Sequence, residues 1–251
     1  MPAHAPDGFA VPFAWYECFI EQTPVDPEAC TGARADCVDE GRPASVCDAA
    51  QALCASAPEG ETIKQHAVRL LDDAGFRADS ALREASLDGL RWIMRHSEVD
   101  ATFGDLLNAR VAQVFGDAKV RLRSSTNAED LEGFSGAGLY QSTSAWAAGE
   151  DAAADRIRRV WASVWSWRAF EERAWWGVDH MAVRMGVAVT RSYPDEAANG
   201  VLITQNIADP VVAGMYVNVQ LGEVSVTNPT DGALPEVFSI IPGPGGIQVA
   251  R

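Results

Sequence analysis

The period of the hydrophobic pattern changes along the chain, and this change constrains the fold more than any other feature. Three early segments have apolar residues at the spacing of an amphipathic helix: 63–74, 80–96 and 103–115. Five later runs are rich in valine, isoleucine and threonine and are separated by turn residues: VAVT (187–190), GVLIT (200–204), MYVNVQL (215–221), EVSVT (223–227) and EVFSII (236–241). Helices followed by strands predict an α+β fold. We expect a helical part over residues 1–117 and a β-rich part over residues 118–251.

Residues 152–176 give the strongest single helical pattern in the chain. One face of this predicted helix is apolar throughout: Ile157, Val160, Trp161, Val164 and Trp165. Aromatic residues at helical spacing are typical of a helix that is buried in a core, and a stacking platform for a ligand is the alternative. We expect core packing.

Length, composition and charge exclude several classes of protein. A chain of 251 residues can form one large domain or two modest ones, and 47% hydrophobic with 22% charged residues is typical of a globular protein. The net charge of −15 repels polyanions, so nucleic-acid binding is not expected. No apolar run reaches the ~20 residues that a membrane span needs. The first residues, MPAHAPDGFA, lack the basic and apolar regions of an export signal.

Four of the five cysteines lie in one polar segment, about residues 24–60. They are Cys30, Cys37, Cys47 and Cys54, and their spacings of seven, ten and seven residues are wider than those of zinc sites. Two disulfides that staple a loop are the favoured interpretation, with a metal site or free thiols as alternatives. Paired cysteines would imply an oxidising compartment.

The stretch VRLRSSTNAEDLEGFSGAGLYQS, residues 120–142, concentrates positive charge and small polar groups in an acidic chain. It follows Lys119, and KVRL predicts a strand whose alternation places Lys119, Arg121 and Arg123 on one face. Arginine is suited to phosphate because its planar group donates two parallel hydrogen bonds. Short donors and glycines follow, which let a backbone approach an anion: Ser124, Ser125, Thr126, Asn127, Gly133, Gly136 and Gly138. A phosphate cradle is one interpretation of this pattern.

A structural interpretation of the same stretch is also open. Ser-Ser-Thr-Asn can cap a helix, Glu129 and Asp130 suit its first turn, and the glycines can simply turn the chain. The stretch contains neither the Gly-Lys-Ser/Thr of a P-loop nor a Rossmann fingerprint. Spacing alone therefore leaves both interpretations standing.

Several segments, taken in order, carry a resemblance to a known family. Three lie in the stretch: Arg123-Ser124-Ser125, Ala128-Glu129-Asp130-Leu131 and Ser135-Gly136-Ala137-Gly138. Four lie outside it: PDGFAVPFAWY (6–16), VWASVWSWRAF (160–170), NGVLIT (199–204) and QLGEVSVTNP (220–229). Together they resemble the nucleotide-binding domain of phosphoenolpyruvate synthase and pyruvate, phosphate dikinase over nearly the whole chain. The resemblance implies an ATP-grasp-like fold.

The resemblance also implies ATP and Mg²⁺ as cofactors. Arg123 would contact the phosphates as the catalytic residue, and the remaining nucleotide-binding residues would be Arg121, Ser124, Ser125, Glu129, Gly133, Ser135, Gly136 and Gly138. Glu223 would hold the metal, because a hard cation that bridges phosphates takes carboxylate oxygens. Asn228 and Glu236 are weaker candidates for a second ligand. Taken by itself, Glu223 is typical of a solvated acid.

Several features depart from the family pattern. The family has a Gly-Gly-Lys segment before Pro-x-Gly-Phe, whereas only MPAHA precedes Pro6 here, and Thr190 occupies the position of a glutamine near the adenine. The cysteine segment is an insertion. The chain shows no match to the family's phosphohistidine and pyruvate-binding domains. We expect its histidines to be structural, since a lone histidine without a positioned partner is rarely a nucleophile: His66, His96 and His180.

Two functions from different classes follow from these observations. The first is the ATP-binding domain of a dikinase-like phosphotransferase, working with separate phosphohistidine and pyruvate-binding domains. The second is a catalytically inactive nucleotide-binding or scaffold module. The resemblance implies a cytoplasmic protein, and paired cysteines would imply an exported one. A third interpretation is a chain incomplete at its N-terminus, which would leave a sheet edge open.

Overall fold

The structure is a computed structural model that describes residues 7–131, 134–136, 138–193, 196–209, 211–222, 226, 234–243 and 246–250. It forms two compact units, Met1–Ser192 and Tyr193–Arg251. Helices and strands are mixed in the first unit, and the described regular elements of the second are strands. The predicted α+β class is confirmed. The expected division between residues 117 and 118 stays a prediction.

Helices make up most of the first unit. They are α1 Phe13–Gln22, α2 Pro27–Asp39, α3 Ala44–Ala55, α4 Ile63–Asp72, α5 Ala74–Ala78, α6 Ser80–His96, α7 Ala101–Phe115, α8 Ala153–Ala162 and α9 Trp167–Trp175. The three early helical segments are confirmed as α4, α6 and α7. Each begins at a capping side chain that accepts backbone N–H hydrogen bonds of the first turn: Thr62, Asp79 and Asp100. The AGFRAD connection before α6 contains the short helix α5.

The long helix expected over residues 152–176 is broken in the middle. After α8 the chain forms a 3-10 turn, Ser163–Trp165, and α9 begins only at Trp167. The hydroxyl of Ser163 donates to the carbonyl of Val160 at 2.6 Å, and Ser166 is extended and caps α9. Serine side chains compete with the backbone for helical hydrogen bonds, which explains the break. The expected apolar face is nevertheless buried, with Trp161 0% exposed.

A four-stranded antiparallel sheet lies beside these helices. The strands of the first unit are β1 Gly8–Val11, β2 Val120–Thr126, β3 Asp130–Leu131, β4 Phe134–Ser135, β5 Thr143–Ala145 and β6 Met185–Arg191. The sheet has the order β1-β6-β2-β5, and β3 pairs with β4 in a separate hairpin. One face of the sheet belongs to the main core with α8: Val120, Leu122, Val187 and Val189 are buried there. The other face carries the alternate residues.

The cysteine segment is helical rather than a stapled loop. Helices α2 and α3 pack on α6, and two disulfides join them, Cys30–Cys54 and Cys37–Cys47. Asp26 caps α2 and Pro27 opens it, and this start signal accounts for the helix. The predicted pairing into two local disulfides is confirmed in the structure. Cys18 is a free, exposed thiol.

The second unit is an antiparallel sheet. Its strands are β7 Ala198–Ile203, β8 Met215–Leu221, β9 Glu236–Gly243 and β10 Gly246–Ala250, in the order β10-β9-β8-β7. The expected strands GVLIT, MYVNVQL and EVFSII are confirmed as β7, β8 and β9. The expected strand EVSVT falls, except for Val226, outside the described residues. Across the described ranges, the helices are all too short or too polar to cross a membrane.

Candidate functional site

The two arginines of β2 point away from the core, as alternation predicted. Val120 and Leu122 are 0% exposed on the core face. Arg121, which lies between these two residues, is half-buried, and Arg123, which follows Leu122, is exposed. Because successive side chains of a strand point to opposite faces, the two guanidinium groups share the face that the core does not use.

We call this side the open sheet face, and the strand register gives its members: Gly8, Ala10, Arg121, Arg123, Ser125, Ser144, Ala188 and Thr190. The neighbours of the arginines are small. Gly8 and Ala10 on β1 are exposed, and Ala188 on β6 lies directly opposite Arg123. Around Arg123, side chains no larger than a methyl group leave space above the sheet. The guanidinium groups are therefore the longest charged side chains of this face.

Among the described residues, Arg123 uses little of its hydrogen-bonding capacity. Its Nε donates to Thr190 Oγ1 at 3.4 Å, and no carboxylate of the described residues forms an ion pair with it. Arg121 donates from Nη1 to Ser144 Oγ at 3.3 Å. The hydroxyl of Thr190 orients the Arg123 guanidinium without neutralising its charge. An anion with several oxygens is the ligand that such a pair suits.

The chain after β2 is held in a compact loop. The side chain of Asn127 donates to the carbonyl of Ala182 at 2.9 Å and accepts from the N–H of Arg184 at 2.7 Å. The N–H of Gly136 donates to the carbonyl of Glu129 at 2.6 Å, so the loop folds back on itself. A Cβ on Gly136 would lie 2.9 Å from the carbonyl oxygen of Ala128, which excludes a side chain.

The structure brings only part of the predicted nucleotide set together. Arg121, Arg123 and Ser125 share the open sheet face, and Gly136 and Gly138 lie in the loop that follows, Gly138 with a φ of 77°. Ser124, which pairs with Val187, belongs to the opposite face, and its backbone N–H donates to Ser142 Oγ at 3.3 Å. Glu129 contributes its backbone carbonyl to the loop.

Other predicted positions cannot be placed on this face. Gly133, Glu223 and Asn228 lie outside the described residues, and so does the side chain of Ser135. Glu236 is exposed at the start of β9. In the part of the chain that the structure describes, no three His, Cys, Asp or Glu residues come together as a metal site.

A buried cation beneath the loop was not predicted from the sequence. Arg173 of α9 is 0% exposed, and its three nitrogens donate to Val164 O at 2.7 Å, Tyr140 Oη at 3.4 Å and His180 Nδ1 at 3.3 Å. The hydroxyl of Tyr140 donates in turn to Ala128 O at 3.5 Å. These contacts connect α9 to both ends of the compact loop. We call Arg173, Tyr140, Val164 and His180 the Arg173 cluster.

The environment keeps His180 neutral. Burial, followed by the nearby Arg173 charge, lowers the pKa of His180 to about 4, although Asp179 acts in the opposite direction. The ring stacks on Phe170 with centroids 3.9 Å apart. A neutral imidazole can accept the hydrogen bond from Arg173, which an imidazolium cannot. This histidine is structural, as expected.

Helical spacing contains the signal that identifies Arg173. It lies three residues after Phe170 and four after Ala169, both buried on the inner face of α9. A charged residue in register with an apolar face indicates a buried, hydrogen-bonded group.

Comparisons with known proteins agree with the sequence resemblance. A family model described as "Pyruvate phosphate dikinase, AMP/ATP-binding domain" matches residues 3–231. The chain is 28% identical over 206 residues to phosphoenolpyruvate synthase of Pyrococcus furiosus, and 30% identical over 206 residues to the probable enzyme of Pyrococcus abyssi. Both alignments cover 80% of this chain and 24% of the relative, so the chain spans about a quarter of the length of these proteins. It is also 37% identical to a rifampicin phosphotransferase of Streptomyces sp over 124 residues, which is 47% of this chain and 13% of that protein.

Proposed function

The chain belongs to the pyruvate phosphate dikinase AMP/ATP-binding domain family, and on that premise we propose that it binds the triphosphate of ATP along the open sheet face. It would serve as the nucleotide-binding domain of a dikinase-like phosphotransferase. The family supports an ATP-grasp-like fold, and the α+β architecture agrees with it. The proposal includes separate domains that would carry the phosphoryl group from ATP to its acceptor.

The observation that supports this proposal most strongly is that Arg123 is exposed and has no described carboxylate as a partner. Most arginines of the first unit bind carboxylates, as Arg83 binds Glu171 and Arg69 binds Glu61. Arg123 is exposed on a face of small residues and forms no ion pair within the described ranges. A guanidinium group held by a hydroxyl retains donors for phosphate oxygens.

The residues of this face would contribute positioning and charge. Arg121 and Arg123 would bind phosphate oxygens and neutralise negative charge that develops during transfer. The backbone of the loop at Gly136 and Gly138 can approach an anion closely because neither residue has a side chain. Glu223, which lies outside the described residues, would hold Mg²⁺, and the metal would supply positive charge to the phosphates.

A catalytically inactive nucleotide-binding module is the second candidate. Thr190, at the position of the family's glutamine, is the hydroxyl that accepts from Arg123. This contact gives the position a role in orienting an arginine rather than in recognising a base. Phosphoryl transfer from ATP, measured by phosphate release and ATP/AMP exchange, would exclude this candidate.

Calorimetric titration with Mg-ATP tests the main proposal. Arg123→Ala should weaken binding by about tenfold or more, the scale of a lost charge-assisted contact. Arg191→Ala is the matched control, because Arg191 is equally exposed on β6 but lies opposite Val120 on the other face. The control should keep nearly the full affinity, and both variants should keep the melting temperature. Equal affinities of the two variants would place the phosphates elsewhere.

A further inference from the structure

A groove on the helical side of the first unit is separate from the open sheet face. Its volume is about 670 Å³. The walls come from α1, the start of α2, the end of α6 and the start of α7, and Trp161 of α8 contributes to the base. The proposed ATP site uses none of these elements, so the groove requires its own explanation.

Aromatic rings form much of the inner surface of the groove. Trp15 stacks on Phe103 with ring centroids 4.5 Å apart, and Phe103 stacks on Trp161 at 5.6 Å. On the α6 side, Trp92 stacks on His96 at 3.8 Å. Phe103 and Trp161 are only 4% and 0% exposed, so the half-buried rings of Trp15 and Trp92 are the ones that a ligand can reach. Ring faces carry negative quadrupole density, so they attract cations as well as apolar groups.

The groove is also bordered by carboxylates: Asp26, Glu28, Glu98 and Asp100. None of these four forms an ion pair with a described residue, whereas carboxylates elsewhere in this unit do, for example Asp88 with Arg91 at 2.6 Å. Among the described residues, no lysine or arginine lines the groove. Arg158 donates to Ser97 O at 2.5 Å and to Asp155 at 2.8 Å, and its charge interacts with Glu98.

Within the described ranges, hydrogen bonds hold only two of these four carboxylates. Asp26 caps α2 and Asp100 caps α7, each through a hydrogen bond to a first-turn N–H at 2.9 Å. The side chains of Glu28 and Glu98 form no hydrogen bond within the described ranges. Glu28 lies in the first turn of α2 and Glu98 interacts with the charge of Arg158, but both carboxylates keep acceptor oxygens that no described residue uses, and both border a groove lined with aromatic rings.

We propose that this groove binds a small organic cation, an ammonium or guanidinium group carried on an apolar body. The rings would contact the body and the face of the cation, and Glu28 and Glu98 would neutralise its charge. Concave sites with an apolar lining and a few convergent polar groups are the usual form of small-molecule sites. This inference does not depend on the proposed ATP site.

Cys18 supplies a reporter inside the groove. It lines the groove and is the free thiol of the chain, since the other four cysteines are paired. We would measure the rate at which Cys18 is modified by the cationic reagent trimethylammonioethyl methanethiosulfonate and by the anionic reagent sulfonatoethyl methanethiosulfonate. Each rate is divided by the rate of the same reagent with glutathione, so that the intrinsic reactivities cancel. The cationic reagent should be favoured by at least about tenfold, the lower end of electrostatic focusing in a charged cleft. A Cys18→Ser variant confirms that the label is on this residue.

The Glu28→Gln/Glu98→Gln double variant tests the two acids that carry the proposal. It leaves both capping aspartates in place, so the helices should remain intact. The preference for the cationic reagent should fall at least about threefold. The matched control is Glu59→Gln/Glu150→Gln, which removes the same charge from exposed positions away from the groove. If the control lowers the preference equally, only the net charge of the chain matters, and the proposal is wrong.

Protection of Cys18 tests binding itself. Millimolar benzyltrimethylammonium should slow the modification by the uncharged reagent methyl methanethiosulfonate, and phenylacetate of similar size should not. Protection should be lost in the Glu28→Gln/Glu98→Gln variant. No protection by benzyltrimethylammonium, or equal protection by phenylacetate, would overturn the proposal. Equal protection by Mg²⁺ would also overturn it, because it would indicate an unselective acidic surface.

Discussion

Arg123 of the open sheet face and Arg173 of the Arg173 cluster are both guanidinium groups that form no ion pair with a described carboxylate, yet water reaches only Arg123. Arg123 is exposed, with one hydroxyl partner at 3.4 Å. Arg173 is 0% exposed, with three neutral acceptors. A buried charge is tolerated only when its donors are satisfied, so Arg173 is committed to the fold. An exposed charge has no such requirement, and its donors remain available to a ligand.

The sharpest test of this contrast is the same substitution at both positions. Arg173→Met should lower the free energy of unfolding by about 2–4 kcal/mol, because it leaves Val164 O and Tyr140 Oη buried without their donor. Arg123→Met should change it by less than about 0.5 kcal/mol, as is usual for an exposed site. Urea unfolding followed by tryptophan fluorescence measures both. Equal losses would mean that exposure does not separate the two roles.

Local periodicity explains what the sequence could predict. Helices α4, α6 and α7 and the alternation that places Arg121 and Arg123 together depend on spacing within one segment, which the sequence shows directly. The α+β class follows from the same patterns. The glycine requirement at Gly136 agrees with its place in the predicted loop, although its cause, the Ala128 carbonyl, appears only in the structure.

Contacts between distant segments explain what the sequence could not predict. The Arg173 cluster joins residues from the loop, the 3-10 turn and α9, and no local pattern specifies which donor meets which acceptor. The break at Ser163 depends on competition between a hydroxyl and the backbone that helical spacing does not reveal. The polar composition of the cysteine segment does not indicate helices, although Asp26 supplies a capping signal for α2.

A second test concerns the compact loop that follows β2 and contains Gly136. Gly136→Ala would place a Cβ 2.9 Å from Ala128 O, so the loop must shift. We expect a loss of about 1–3 kcal/mol in the free energy of unfolding, typical of overpacking, together with weaker binding of Mg-ATP. Gly89→Ala in α6 is the control, since its Cβ would lie 3.8 Å from that of Ala33. This variant should be neutral or more stable by about 0.5–1 kcal/mol. An unchanged affinity in a folded Gly136→Ala protein would separate the loop from nucleotide binding.

The smallest expected effect concerns protonation in the Arg173 cluster. Because the pKa of His180 is lowered from 6.5 to about 4 in the folded protein, the unfolded chain binds the proton more readily. Stability from this residue is fully present above pH 6.5 and is lost as the pH falls towards about 4.

Comparison with His180→Gln isolates this contribution, since the amide can still accept from Arg173 but does not titrate. Between pH 7 and pH 4 the unmodified protein should lose about 1–2 kcal/mol more than the variant, after allowance for solvent screening. His66, whose pKa is also lowered by burial, is present in both proteins and cancels in the difference. Identical pH profiles of the two unfolding free energies would show that His180 accepts no essential hydrogen bond from Arg173.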